Sequence, residues 1–396
     1  MRVALLAPAM AVADAFCRNS EHLFELSGAN TGNFAFTHAL FRHFSPGVER
    51  FFWHERPEVI RERCQIAVVA CANQLGPHTD MSALAHTLEK TGLPIVALGL
   101  GAQAPDTSAS VSLTAGTDRW LRVLADHAPA KGPNIGVRGA FTLQVLEKLG
   151  LEGQGAVIGC PSNFLSEDPD LGAKIAAKYA GSPIERVAVA AGTRHAPAMA
   201  PLEQELARLA TSTGGVYVTQ ADLDMIRLAR SEFDAIDPGD LEKLRAYIRP
   251  DLDIAAFKRW CRRYATCFTD SGSRLEAMRA FDFVVGPRFH GVMQAIQAGT
   301  PGGVVVHDSR TRELCETMRI PFRDYREIEP GFRADELYRL FPFDADAYRV
   351  RRRELLLRYL GVLSWAGVKP SKALLELEAE TAQAERSPDA PEFAPR

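Results

Sequence analysis

Short apolar runs bounded by Gly or Pro alternate along this chain with stretches whose apolar residues recur every three to four positions. The runs read as strands buried on both faces, and the periodic stretches as helices packed against them. In the first half, strands are predicted at 3–6, 66–70, 95–98, 135–137 and 156–158, with helices at 35–44, 82–90 and 140–149. The last helix places Phe141, Val145 and Leu149 on one face and stops at Gly150, a residue suited to a helix C-cap. The second half repeats the alternation, with strands predicted at 187–190, 216–219, 267–269, 283–285 and 303–306. Such βαβ units build parallel sheets.

Composition shifts at Ser166-Glu167-Asp168-Pro169-Asp170, where the connection between two domains is placed. The expectation is an α/β fold of two Rossmann-like domains, residues 1–165 and 166–345, with mostly parallel sheets facing across a cleft. Charged helices at 348–360 and 372–382 make a C-terminal segment, 346–384. Residues 385–396 are rich in Pro, Glu and Ala without apolar periodicity and read as a disordered tail.

Composition narrows the function classes. The chain has 396 residues, 46% hydrophobic and 24% charged, enough for two domains with real cores. Its formal net charge of -3 gives no basic excess for nucleic acid. Seven cysteines lie scattered without CxxC spacing, which fits reduced thiols in a cytoplasmic protein. The histidines show no metal-ligand spacing either, so no metal is expected. The segment VALLAPAMAVA with Ala13-Asp14-Ala15 imitates a signal peptide, but a buried first strand ended by Pro8 is the preferred reading. No apolar run reaches the ~20 residues of a membrane helix.

The candidate chemistry sits at strand ends. Phe283 to Val285 stops at Gly286-Pro287, a turn carries Arg288 and His290, and a helical segment follows. In open α/β sheets ligands bind beyond the carboxyl ends of the strands, where helix N-termini attract anions. An always-charged guanidinium beside a titratable imidazole suits a small phosphorylated acid. Arg138 follows the strand at 135–137, and Arg310 follows the strand at 303–306. Gly28-Ala29-Asn30-Thr31-Gly32-Asn33 makes a Gly/Asn turn before the helix at 35–44. Gly99-x-Gly101-x-x-Ala104 superficially matches a dinucleotide fingerprint, but no helix follows it, so no nicotinamide cofactor is expected. Asp270-Ser271-Gly272-Ser273 either touches a ligand phosphate or caps the next helix. The run Arg349, Arg351, Arg352, Arg353 reads as a solvated helix face.

These segments, taken in order, resemble the polysaccharide pyruvyl transferase family. The similarity rests on the N-x-G turn, the Gly-rich strand end Leu98 to Pro105, Val137-Arg138 through Thr142, Arg288-Phe289-His290-Gly291 and His307-Asp308-Ser309-Arg310. It implies a GT-B-like fold and transfer of a pyruvyl group from phosphoenolpyruvate to sugar hydroxyls as a ketal, without a cofactor. Matching positions make His290 and Arg288 catalytic. They place Arg138, Arg288, Phe289 and Arg310 on the donor, and Asn30, Asn33 and Gln103 on the acceptor side. The acceptor would be a glycan or lipid-linked sugar, the latter bringing the chain to a membrane surface as a peripheral protein. Two positions depart from the family pattern. Arg310 stands where many members have lysine, and Asn33 replaces the acid of an N-x-G-D turn. The rival readings are a GT-B glycosyltransferase using a nucleotide sugar and a non-catalytic sugar-binding protein of the same fold. The sequence is silent on the identity of the acceptor and on oligomeric state.

Overall fold

The computed structural model describes residues 1–106, 110–129 and 132–384. The expected tail at 385–396 lies outside the described residues. Six strands form the first sheet: β1 (Val3–Leu6), β2 (Val48–Phe51), β3 (Ile66–Ala70), β4 (Ile95–Leu100), β5 (Ile135–Val137) and β6 (Gly155–Val157). Their order is β2-β1-β3-β4-β5-β6, and every pairing is parallel. The second sheet holds β7 (Val187–Ala190), β8 (Val216–Val218), β9 (Ala265–Thr266), β10 (Phe283–Gly286), β11 (Gly302–Val306) and β12 (Phe322–Asp324). Its order is β12-β11-β10-β7-β8-β9, again parallel throughout. Two Rossmann-like domains thus face each other across a cleft, the GT-B-like arrangement, with sheets that are wholly rather than mostly parallel.

The apolar runs explain the central strands. Every residue of β1, β3, β4 and β7 is buried, because helices cover both faces of each sheet. Alternation divides the work. Val3 and Leu5 pack with Phe36 and Leu40 of the helix Asn33–Phe44, while Ala4 and Leu6 pack with Leu88 and Trp120 on the opposite side. Two edge strands escaped the sequence pattern. β2 reads Val-Glu-Arg-Phe and β12 reads Phe-Arg-Asp, since an edge strand with one flank in water needs no apolar run. The strand expected at 267–269 is corrected to β9, Ala265–Thr266, whose register is set by pairing with Tyr217 and Val218. Thr269 instead accepts the N–H of Val12, 2.8 Å away, in a contact between the domains.

Strand order reverses once in each sheet. β1 is flanked by β2 and β3, and β7 by β8 and β10. A crevice opens beyond the carboxyl ends at such reversals. The two domains meet there: Thr31 donates its N–H to Gln220 O (2.9 Å), and the Glu313 carboxylate accepts from the N–H and hydroxyl of Thr142, both at 2.7 Å.

The helix Ala345–Trp365 then crosses back to the first domain. Arg352, expected on a solvated face, is buried and donates to the carbonyls of Asn163 (3.1 Å), Ser166 (2.6 Å) and Asp168 (2.9 Å). Helical periodicity turns one of four neighbouring arginines inward, and the connecting segment supplies the carbonyls it needs. His43 makes a second tie, its ring nitrogens 3.1 Å from the Tyr359 hydroxyl and 3.2 Å from Phe164 O.

Burial holds the His43 pKa at about 4, with Arg42 pushing the same way. An unfolded histidine titrates near 6.5, so between pH 6.5 and 4 the unfolded chain takes up a proton that the folded ring refuses. His43 therefore contributes stability that is complete above pH 6.5 and lost as pH falls toward 4. From pH 7 to pH 4 the wild type should lose about 3 kcal/mol more than His43→Gln, measured by urea unfolding. Equal losses would show that the buried ring titrates normally.

Candidate active site

The helix Phe289–Gln297 begins directly after β10, with Arg288 as its N-cap residue. Phe289 and Val292 anchor this helix in the core, which leaves Arg288 and His290 flanking the cleft. Around them the cleft, open to solvent on one side, holds about 450 Å³ of space free of protein atoms. It is lined from the first domain by Asn30, Gly32 and Asn33 after β1, Asn73 after β3 and Arg138 after β5. From the second come Gln220 after β8, Arg288, Phe289 and His290 after β10, and Arg310 and Thr311 after β11. Asn30, Gly32 and Asn33 stand at the start of the helix Asn33–Phe44, and the others follow the carboxyl ends of strands.

Seven of the eight residues singled out in the sequence line this one space: Asn30, Asn33, Arg138, Arg288, Phe289, His290 and Arg310. Gln103 does not. Its side chain instead accepts a hydrogen bond from Asn73, so it meets the cleft through that neighbour. Asp270 takes its second reading and caps the helix Ser271–Met278, accepting the Ser273 N–H at 2.7 Å. Sequence reasoning missed Asn73 and Gln220, although the strand-end rule that found Arg138 applies equally to both. It also missed Arg274, which carries no local signal because it sits inside a helix.

The electrostatics are unbalanced. Arg138 is 2% exposed, and its Nε and Nη2 have no hydrogen-bond partner among the described residues. Its stem lies against Gly101, where a Cβ would come within 2.7 Å of Arg138 Cδ. The Gly-rich turn after β4 therefore makes room for the arginine. Burial and the charge of Arg310 lower the Arg138 pKa, against the pull of Cys160 and Glu313. Arg288 is lowered to about 10 by burial and Arg310, with its Nε also unpartnered. Among the described residues, Arg310 is the one of the three with a carboxylate at ion-pair distance, Asp308 at 3.2 Å. Burial would raise the Asp308 pKa, yet Arg310 and His307 hold it below the ordinary carboxylate value.

His290 is pressed in the opposite sense. Burial and then Arg138, Arg310 and Arg274 drive its pKa well below the usual imidazole value, so it is neutral at pH 7. Its ring stands against Phe36 and Phe289, with Nε2 3.4 Å from Cys160 Sγ. Cys160 in turn accepts from the Ser162 hydroxyl at 3.1 Å. Converging guanidinium groups with open donor positions, beside a neutral imidazole, can bind a small polyanion and exchange a proton with it.

A family model for polysaccharide pyruvyl transferase matches residues 30–309, a span that contains every cleft residue named above except the side chains beginning at Arg310. The chain belongs to the polysaccharide pyruvyl transferase family. Solved structures similar to it include S. aureus MnaA with UDP, at 12% identity and a TM-score of 0.46, covering 92% of this chain and 98% of that one. A putative UDP-N-acetylglucosamine 2-epimerase from Listeria monocytogenes matches at 11% identity and a TM-score of 0.43, covering 99% of each chain. Anabaena HepE with UDP matches at 11% and 0.40, covering 97% of this chain and 95% of that one. No curated protein matches the chain.

In this member of the family the turn residue Asn33 has a use that an acid could not fill. Its Nδ2 donates to Ser27 O (3.0 Å) and Gly28 O (3.1 Å), closing the turn that carries Asn30 to the cleft. A carboxylate offers no donor and would face two carbonyl oxygens. Asn33→Asp should therefore lower stability by about 2 kcal/mol and raise no activity. A gain in turnover without loss of melting temperature would show that the amide is a substitute for the family acid rather than a tie.

Proposed function

We propose that the protein transfers the pyruvyl group of phosphoenolpyruvate to two hydroxyls of a glycan or glycan precursor, forming a ketal and releasing phosphate. The observation that carries this reading is the convergence of Arg138, Arg288 and Arg310 on one cleft with His290, two of the three having buried nitrogens without partners among the described residues. The donor bears a phosphate and a carboxylate close together, and guanidinium forks suit both. A bound polyanion would also offset the charges that keep His290 neutral, raising its basicity only when donor is present. The imidazole would then carry a proton between acceptor and donor.

In this scheme one acceptor hydroxyl attacks C2 of the donor as the methylene carbon gains a proton, giving a methyl group. The C2–O bond to phosphate then breaks and the phosphate leaves with the bonding pair. The second hydroxyl closes the ketal. Of the two hydroxyl protons, one ends in the methyl group and the other leaves with phosphate. The scheme contains no redox step and uses no resident cofactor. Asn30, Asn33 and Asn73 offer neutral polar groups on the first-domain wall for the sugar. Free cysteines fit a reducing, cytoplasmic site of action. Among the described residues no helix is long and apolar enough to cross a membrane, so a lipid-linked acceptor would be met from one side.

The test is release of inorganic phosphate from phosphoenolpyruvate against a panel of pyranoside acceptors, followed by phosphorus NMR. Phosphoenolpyruvate should raise the melting temperature, whereas protection by UDP alone would favour the nucleotide-sugar reading. His290→Ala should fold and lose turnover by at least about a hundredfold. Near wild-type rates in that variant would remove the histidine from the chemistry.

A further inference from the structure

We infer that Gln220 touches the bound ligand, donating its side-chain N–H to an anionic oxygen, and that Arg274 is the positioning residue that orients it. The inference rests on the donor reading above and extends it to residues outside the arginine and histidine segments that suggested it.

Gln220 follows β8, lines the cleft and is 1% exposed. Its Oε1 accepts from Arg274 Nη1 at 2.8 Å. A guanidinium only donates, so the amide meets Arg274 Nη1 with its oxygen, and Nε2 lies on the Gly291 side, near Arg274 Nη2. That Nε2 is buried and has no partner among the described residues. The backbone of Gln220 is pinned as well, through the 2.9 Å bond from Thr31 N–H of the first domain.

Arg274 lies on the helix Ser271–Met278 and is 2% exposed, with Nε and Nη2 unpartnered. Burial lowers its pKa to about 9, which still leaves it charged at pH 7, and only Cys267 opposes the shift. A buried cation bonded to one neutral amide polarises that amide, making its unpartnered N–H a stronger donor toward an anion. Room for the pair is provided by Gly291 in the first turn of the helix Phe289–Gln297. A Cβ there would lie 2.7 Å from Arg274 Nη2 and 2.8 Å from Gln220 Nε2. The glycine of the Arg-Phe-His-Gly segment is thereby tied to a donor group beside His290.

The anionic oxygen could belong to a phosphate or a carboxylate, and calorimetry separates them. Phosphoenolpyruvate, inorganic phosphate and pyruvate would each be titrated into the wild type, Gln220→Glu, Gln220→Met and Arg274→Met. Gln220→Glu keeps the shape and the contact with Arg274 but replaces the donor by a second acceptor. It should keep its melting temperature and bind phosphoenolpyruvate at least about tenfold more weakly. A parallel loss for phosphate or for pyruvate identifies which oxygen is held. Gln220→Met and Arg274→Met should show smaller losses that do not add in the double variant, as expected of one unit. Unchanged affinity in Gln220→Glu for every ligand that the wild type binds overturns the inference. A wild type that binds phosphate or pyruvate but not phosphoenolpyruvate sinks the donor reading instead, while the same comparison still decides Gln220. A wild type that binds none of the three overturns both.

Discussion

A guanidinium group loses strong hydration when it is buried, and in Arg138, Arg274 and Arg288 that loss is not made good by neighbouring carboxylates. Each keeps buried nitrogen atoms without partners among the described residues. Of the cleft arginines, Arg310 has a carboxylate at ion-pair distance among the described residues, Asp308 at 3.2 Å. Two other buried carboxyls stand nearby, Glu203 beside Arg288 and Glu313 beside Arg138, but burial raises the pKa of both. Their oxygens are moreover engaged elsewhere, Glu203 by Gly192 N–H and the Tyr217 hydroxyl, Glu313 by Thr142. Excess buried positive charge opposes folding. It is tolerable where a ligand supplies the missing negative charge, and this concentrates the chemistry of the protein in one cleft.

Burial and the same charges set the state of the histidine. Desolvation first, and then the three arginines Arg138, Arg310 and Arg274, hold its pKa well below the usual imidazole value. The apolar neighbours of His290, Phe36 and Phe289, keep the ring in place.

The scaffold contributes position. Each half builds a parallel sheet whose strand order reverses once, and the two reversals are brought face to face. Hydrogen bonds from Thr31 to Gln220 and from Thr142 to Glu313 hold the halves together within the cleft region itself. The helix Ala345–Trp365 ties them from behind through Arg352 and Tyr359. Domain contact and cleft wall therefore share residues, Gln220 above all.

Much of this was legible in the chain. Central strands such as β1, β3, β7 and β10 are buried on both faces, so their apolar runs are continuous and unmistakable. Arg138, Arg288, His290 and Arg310 follow directly on such runs, and a strand-end position is a local property. Edge strands β2 and β12 left no such trace, because water on one flank relaxes the demand for apolar residues. What local sequence could not supply was partnership across the fold. Gln103 stands at a strand end yet turns to Asn73, and Arg352 sits in a run of charges yet is buried on three carbonyls. Arg274 gains its meaning only from Gln220, 54 positions away. The order of residues determined which groups reach the rim of each sheet, since period and punctuation act over a few residues. Which of them meet, and which buried charges go unanswered, was decided by packing between segments far apart in the chain.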